Sequence, residues 1–258
     1  MPSRHDYRDQ AARYDRTRGA SPSITGPLVA ALEGSPGPFL LDVAGGTGNY
    51  AAALRDHGYR PTVVDITAEM LERARTKGLP VVRADATCLP IEDASVDAVM
   101  IVSALHLVTD WRSALAEARR VIRPGGRLAI TDYTRENLGV HWILDYFPSA
   151  RNSIVPNHIP LADLLADLPG ARARPFEFTD LVDASMSALC RRPELLLDPG
   201  FRMQTSFFES LARSDPTEAG AGIERLERDL GAGRRPDEEV SDLRARVGDG
   251  TIIAWPAP

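Results

Sequence analysis

Lysine is almost missing from this chain. Among 258 residues only Lys77 carries an ammonium side chain, and every other fixed positive charge is arginine. The 30 basic residues are outnumbered by 36 acidic ones, for a formal net charge of −6. Binding to a nucleic-acid backbone leaves a basic footprint, and the chain as a whole has none. The early arginines Arg4, Arg8, Arg13, Arg16 and Arg18 alternate with Asp6, Asp9 and Asp15, so the signs cancel at range and describe a solvated helix face. Cysteine is equally sparse. Cys88 and Cys190 stand far apart with no CxxC, which excludes a disulfide framework and fits a reducing, cytoplasmic setting. The five histidines show no HxH, HxxxH or Cys–His spacing, so no metal site is expected. No apolar run reaches the ~18 residues that span a bilayer, and the polar start MPSRHDYRDQ does not read as a secretory signal.

What is present is an alternation. The 43% hydrophobic content suits one sizeable domain. Residues 5–18 read as a short amphipathic helix with Tyr7, Ala11 and Tyr14 on one side, and Ser23–Leu32 as a second helix that Gly34-Ser-Pro-Gly-Pro38 ends. Short apolar stretches then alternate with helical ones. Strands are expected at Phe39–Val43, Thr62–Val64, Pro80–Arg83, Ala98–Val102 and Arg127–Thr131. Helices are expected at Asn49–His57, Ala68–Lys77 and Trp111–Ile122, the last stopped by Pro124-Gly-Gly126. This is the pattern of βαβ units around a parallel sheet covered on both faces. The rhythm is lost after Tyr133. A strand at 172–178, helical stretches at 201–230 and 236–246, and a last strand at Thr251–Trp255 follow. The long interruption reads as a cap inserted into one domain.

Residues 40–54, LLDVAGGTGNYAAAL, run from a strand through a glycine turn into a helix. Gly46-Thr-Gly48-x-x-Ala51 matches GxGxxG/A, and Asp65 lies 19 residues beyond Gly46, where an acid accepts both ribose hydroxyls. A dinucleotide fits that spacing. Asp42 separates the candidates: a pyrophosphate on this turn would meet its carboxylate, whereas a ligand with a cationic head would be welcomed. Asp42 as a simple cap of the turn is the plainer alternative.

LLDVAGGTG resembles the first motif of class I S-adenosylmethionine-dependent methyltransferases, an acid followed by GxGxG. Ala44 stands where the first glycine is usual, as it does in sequences similar to ubiquinone/menaquinone biosynthesis methyltransferases. VVDITAEML (63–71), RADATCLPIEDASVDAVMIVSALHLVTD (83–110), LAEARRVIRPGGRLAITDY (115–133) and AARYDRTR (11–18) resemble the family's further segments. The resemblance implies S-adenosylmethionine as cofactor and S-adenosylhomocysteine as product. It places Asp42, Ala44, Gly45, Gly46 and Gly48 at the methionine part, and Asp65 on the ribose. It places Ile66 against the adenine, Asp85 on the adenine amino group and the Ala86 backbone on the ring edge, with Met70 and Ser103 also in the cofactor site. Tyr14 and Arg18 face the methionine end from the N-terminal lid. An Asx-type turn at Asp85 and simple packing at Tyr14 are the structural alternatives.

The catalytic side is less defined. His106 follows the fourth strand, where an imidazole that titrates near neutrality serves as general base or only walls the cofactor pocket. His141 and His158, in the cap, are candidate bases or ordinary surface histidines. Trp142, Tyr146 and Phe147 line an aromatic acceptor pocket or anchor the cap. The chain lacks [DNS]PP[YFW] and a Pro-Cys pair, the marks of nucleic-acid methylation, so a small-molecule acceptor is expected, with O- or N-methylation favoured over C-methylation. Rival readings are a non-catalytic S-adenosylmethionine binder, a methyltransferase-fold enzyme of another reaction type, and a nicotinamide oxidoreductase. The last would want Tyr-x-x-x-Lys, yet Arg73 stands four residues before Lys77. The expected architecture is an α/β, Rossmann-like, doubly wound seven-stranded sheet, last strand antiparallel, with a helical cap. The units are lid helices in 1–36, a cofactor core in 37–133, a cap in 134–246 and a final strand in 247–258.

Overall fold

The computed structural model describes Tyr14, Asp15 and residues 17–258. Most of the first expected helix, 5–18, lies outside the described residues; Tyr14, Asp15 and Thr17 are helical. Seven strands form one sheet: β1 (Phe39–Val43), β2 (Arg60–Asp65), β3 (Val81–Arg83), β4 (Val96–Val102), β5 (Ile122–Asp132), β6 (Arg172–Phe176) and β7 (Gly250–Pro256), in the order β3-β2-β1-β4-β5-β7-β6. The first five run parallel, and β7 is antiparallel to both neighbours. This is a Rossmann-like doubly wound sheet. Its strand order reverses between β1 and β4, and ligands of such sheets bind outside the strand carboxyl ends at that point.

The short strands are buried on both faces because helices cover both. Leu40, Ala98 and Met100 pack with helices α1 (Pro22–Leu32), α2 (Asn49–Asp56) and α3 (Ala68–Thr76). Leu41, Val43, Val99 and Ile101 pack on the other face with Ala114, Leu115 and Ala118 of α4 (Trp111–Val121) and with Leu164. Asp42 therefore points out of the α1–α3 face, and Val43 out of the opposite one.

Two expected boundaries shift. The helix at Trp111 ends at Val121, and β5 starts at once at Ile122. Pro124-Gly125-Gly126 lies inside β5 as an irregularity, with the pairing register displaced between Val96 and Ala98. Gly125 takes φ +76°, and a side chain on Gly126 would strike the Asp97 carbonyl. The stretch 201–230 is three helices, Pro199–Arg202, Ser206–Ser214 and Pro216–Gly231. Thr205 and Asp215 cap the second and third through Phe208 N–H and Glu218 N–H.

The cap has its own core of Trp142, Ile143, Phe147, Leu189, Leu196, Phe208, Leu211 and Leu226. Gly222 lets the 216–231 helix meet the Phe147 ring, which a Cβ would strike. Among the described residues no helix is long and apolar enough to cross a membrane.

Candidate functional site

The sequence LLDV runs straight to the rim of the sheet, so its aspartate ends a strand inside the molecule. Asp42 is 1% exposed, and neither carboxylate oxygen has a hydrogen-bond partner among the described residues. Burial first, then the neighbouring Asp65, raises its pKa well above the usual carboxylate range. Isolated buried charge is costly, so this carboxylate has a use for a cation. Gly45 passes directly over it, and a Cβ there would collide with the carboxylate. Ala44, Gly46 and Gly48 all take positive φ (56°, 57° and 71°), which glycine adopts freely and alanine only under strain. Gly48 also abuts Leu79 too closely for a side chain, and α2 begins there.

The turn offers little to a phosphate. Gly45 N–H donates to Val64 O (3.1 Å), Gly46 N–H to Asp65 Oδ2 (2.9 Å) and Gly48 N–H to Gly45 O (2.9 Å). Its glycine amides are thus spent inside the protein rather than turned toward an anion. The second oxygen of Asp65 accepts Thr67 N–H at 2.8 Å. Each oxygen is fixed by one backbone bond and keeps a lone pair for a hydroxyl.

Above this turn lies a cavity of about 780 Å³. Asp42, Ala44, Gly45, Gly46, Asp65, Ile66, Met70, Asp85, Ala86, Ser103, Tyr14 and Arg18 all line it; Gly48 lies beneath, shaping the turn. Ile66 is 59% exposed, an apolar side chain held open to the cavity. Asp85 also closes an Asx turn, accepting Thr87 N–H (2.9 Å) and Thr87 Oγ1 (2.8 Å). A cation beside Asp42, hydroxyls on Asp65 and a flat apolar ring by Ile66 suit S-adenosylmethionine. The carboxylate under the turn does not suit a pyrophosphate.

The three histidines separate. His106 Nδ1 bonds to Asp132 Oδ1, and its backbone N–H donates to Asp132 Oδ2 at 2.9 Å. His158 stacks on His106, ring centroids 4.9 Å apart. Burial works to raise the Asp132 pKa, but His106 and Tyr133 N–H outweigh it, and the carboxyl is held below its usual range. Burial and His106 depress His158 to about 4. His106 is not itself among the residues that line the cavity, although Ala104 and Leu107 on the same turn are. His141 does not come near them. It is buried in the cap with Nε2 3.0 Å from Cys190 Sγ, and burial, Arg244 and Arg151 depress its pKa to about 3. Trp142, Tyr146 and Phe147 are likewise buried in the cap core and do not line the cavity. They anchor the cap.

Several lining or supporting residues have no local signal. Asp183, from the cap, lines the cavity and pairs with Arg18 at 2.8 Å across 165 residues. Asp132 lies one residue beyond the expected strand Arg127–Thr131 and ends the observed one. On the other side, Lys77 Nζ reaches Asp15 Oδ2 (2.8 Å) and Thr47 O (2.7 Å), and Thr47 Oγ1 donates to Asp15 Oδ1 (2.6 Å). The lone lysine thus ties the N-terminal segment to the glycine turn. Among the described residues no group of three or more His, Cys, Asp or Glu is placed to hold a metal ion.

The type 11 methyltransferase domain family matches residues 41–130. The chain is 31% identical over 152 residues to the demethylmenaquinone methyltransferase of Mycolicibacterium gilvum, covering 55% of this chain and 67% of that protein. It is 40% identical over 122 residues to the ubiquinone/menaquinone biosynthesis C-methyltransferase of Paracoccus denitrificans, covering 43% and 49%. The chain spans about half the length of the curated relatives it matches. A crystal structure of a putative methyltransferase from an antibiotic biosynthesis pathway of Anabaena variabilis aligns with TM-score 0.77 at 25% identity, over 92% of this chain and 98% of that one. The chain belongs to the class I S-adenosylmethionine-dependent methyltransferases, and S-adenosylmethionine is its cofactor.

Proposed function

We propose that this protein transfers a methyl group from S-adenosylmethionine to a small-molecule acceptor, with His106 as the general base. The observation that carries the reading is the buried, unpartnered Asp42 carboxylate beneath a glycine turn whose own amides are already spent. When bound, the cofactor supplies a methyl group already activated on a sulfonium. The protein's remaining work is alignment, water exclusion and removal of a proton. In this reading Asp42 holds the ammonium, Asp65 the ribose hydroxyls, and Asp85 with the Ala86 backbone the adenine. Asp132 holds the proton-bearing Nδ1 of His106 and leaves Nε2 as the acceptor of a proton from substrate. A hydroxyl or carbon acid needs such a base more than an amine does, which favours O- or C-methylation.

A quinol-like acceptor methylated on carbon is the second reading, favoured by the names of the matched relatives. The family model matches residues 41–130, short of the cap, so the acceptor is a matter for the cap's own residues. A role in secondary or cofactor metabolism in the cytoplasm belongs to the same proposal.

The test is calorimetric titration with S-adenosylhomocysteine and, separately, NADH, followed by labelled-methyl transfer to a panel of phenols, quinols and amines. S-adenosylhomocysteine binding with transfer to a hydroxyl or carbon acceptor is expected. Binding without transfer to any acceptor would favour a non-catalytic binder or another reaction type, and NADH binding alone would overturn the cofactor. His106→Gln should lower kcat by roughly a hundredfold or more while S-adenosylhomocysteine affinity stays within twofold. A parallel loss of affinity would make His106 a wall.

A further inference from the structure

Resting on that reading of the cavity, we propose that Asp183 and Ser206 of the cap are positioning residues. They orient the Arg18 guanidinium toward the carboxylate of the cofactor's amino-acid end, so the cofactor site is completed by the acceptor half of the molecule. The amino-acid end is a zwitterion and needs an anion and a cation on the protein. Asp42 is the anion, beneath Gly45. Among the described residues, the cavity lining carries two guanidiniums, Arg18 and Arg83. Arg83 Nε is bonded to Ile66 O at 3.1 Å, on the far side of Asp65. Arg18 is at the near side: its carbonyl accepts from Asn49 Nδ2, at the first residue of α2.

Arg18 does not hold its position alone. Its NH1 bonds to Asp183 Oδ1 at 2.8 Å and its NH2 to Ser206 Oγ at 3.2 Å. The backbones are tied as well, with an antiparallel bridge between Arg18 and Asp183. Ala184 N–H donates to Thr17 O (2.8 Å) and Gly19 N–H to Val182 O (2.9 Å). A side chain at Gly19 would strike Val182, so the two segments approach as closely as glycine allows. Two bonds use two of the five N–H groups of a guanidinium, and the planar fork, once held at one edge, presents the others in a fixed direction. Asp183 has a second effect. A bare guanidinium beside a ligand bearing an ammonium and a sulfonium would repel it, and the adjoining carboxylate cancels that repulsion.

The plainer alternative is a staple that only joins the N-terminal segment to the cap. The two differ in which ligand feels the change, because 5′-methylthioadenosine has the adenosine and sulfur but no amino-acid group. The full-length chain, Asp183→Asn, Asp183→Glu and Ser206→Ala would each be titrated calorimetrically with S-adenosylhomocysteine and with 5′-methylthioadenosine. Asp183→Asn should weaken S-adenosylhomocysteine roughly tenfold, the size of one charge-assisted hydrogen bond, and leave 5′-methylthioadenosine within twofold. Asp183→Glu should recover part of the loss. Ser206→Ala should show a smaller loss with the same selectivity, and it carries the test if Asp183→Asn does not fold. Unchanged S-adenosylhomocysteine affinity, or equal weakening of both ligands, overturns the proposal. Failure of the unaltered chain to bind S-adenosylhomocysteine would instead strike the cofactor assignment, so the two failures are told apart.

Discussion

The glycine-turn rim of the sheet and the seam between cap and last strand treat buried polar groups in opposite ways. At the sheet edge Asp42 is buried with no partner, and Asp65 is held by one bond per oxygen with capacity to spare. Where the cap meets the last strand, buried polar groups consume one another. Arg244 and Asp249 form a buried two-bond pair, and Asp249 also accepts Phe178 N–H at 2.7 Å. Trp142 Nε1 donates to Cys190 O (2.8 Å), and Asn137 Nδ2 donates to Val247 O (2.8 Å). A buried group left unmatched costs stability and persists where a ligand uses it, whereas a matched one holds architecture together. His141 belongs to the second kind, its ring against Cys190, despite a residue type that invites a catalytic role.

The comparison predicts opposite signs for aspartate removal. Asp249→Ala should destabilise the fold by about 3–5 kcal/mol, because it strands the buried Arg244 guanidinium; urea unfolding reads this directly, and a loss under 1 kcal/mol would deny the pair its role. The cap should also be the acid-sensitive half. His141 and His158 are held neutral, at about 3 and about 4, while in the unfolded chain they take protons near 6.5. The unfolded state then binds more protons below that value, so stability is intact above it and falls as pH drops. For His141, facing Cys190, Arg244 and Arg151, the loss is on the order of 3 kcal/mol by pH 4. The slope of unfolding free energy against pH should flatten in His141→Gln, and an unaltered slope would show the histidine already charged in the fold.

Asp42→Asn should do the reverse of Asp249→Ala. It relieves an unpaired buried charge, so the ligand-free protein gains in Tm, while S-adenosylhomocysteine affinity falls by about 1–3 kcal/mol. Equal or better affinity would sink the assignment of Asp42 to the ligand's cation. The smallest effect belongs to Ala44→Gly. The left-handed φ of 56° costs alanine about 1–2 kcal/mol, and glycine's greater unfolded-state entropy returns about 0.4–1 kcal/mol. The net gain should be about 0–1.6 kcal/mol, with ligand affinity unchanged; a clear loss of stability would mean that the alanine methyl packs usefully.

How much of this was legible follows the same division. Phe39–Val43 is a strand at its expected residues, because a buried parallel strand is written as a short apolar run closed by glycine. The segment 201–230 resisted because periodicity was read across two helix starts. The second of these, Asp215-Pro216-Thr217-Glu218, carries a capping aspartate, a proline at the first helical position and an acid at the third. That signal was in the sequence. Pro124-Gly125-Gly126 was visible as a breaker, but nothing local says that β5 runs through it. Asp183 left no trace, since its partner Arg18 lies 165 residues away. The aromatics Trp142, Tyr146 and Phe147 named an interior without saying whether it was a pocket or a core, and the neighbours that decide it come from 189–226.

The solitary lysine has a practical side. Lys77 is bonded to Asp15 and to the Thr47 carbonyl, and no other lysine side chain exists for amine-directed reagents to find. A dye, a surface linker or an acetyl group placed on lysine therefore arrives at a single address, and it cancels the one ammonium that pins the N-terminal segment to the glycine turn. Labelling by way of lysine is, for this protein, labelling of the tie between its N-terminal segment and its glycine turn.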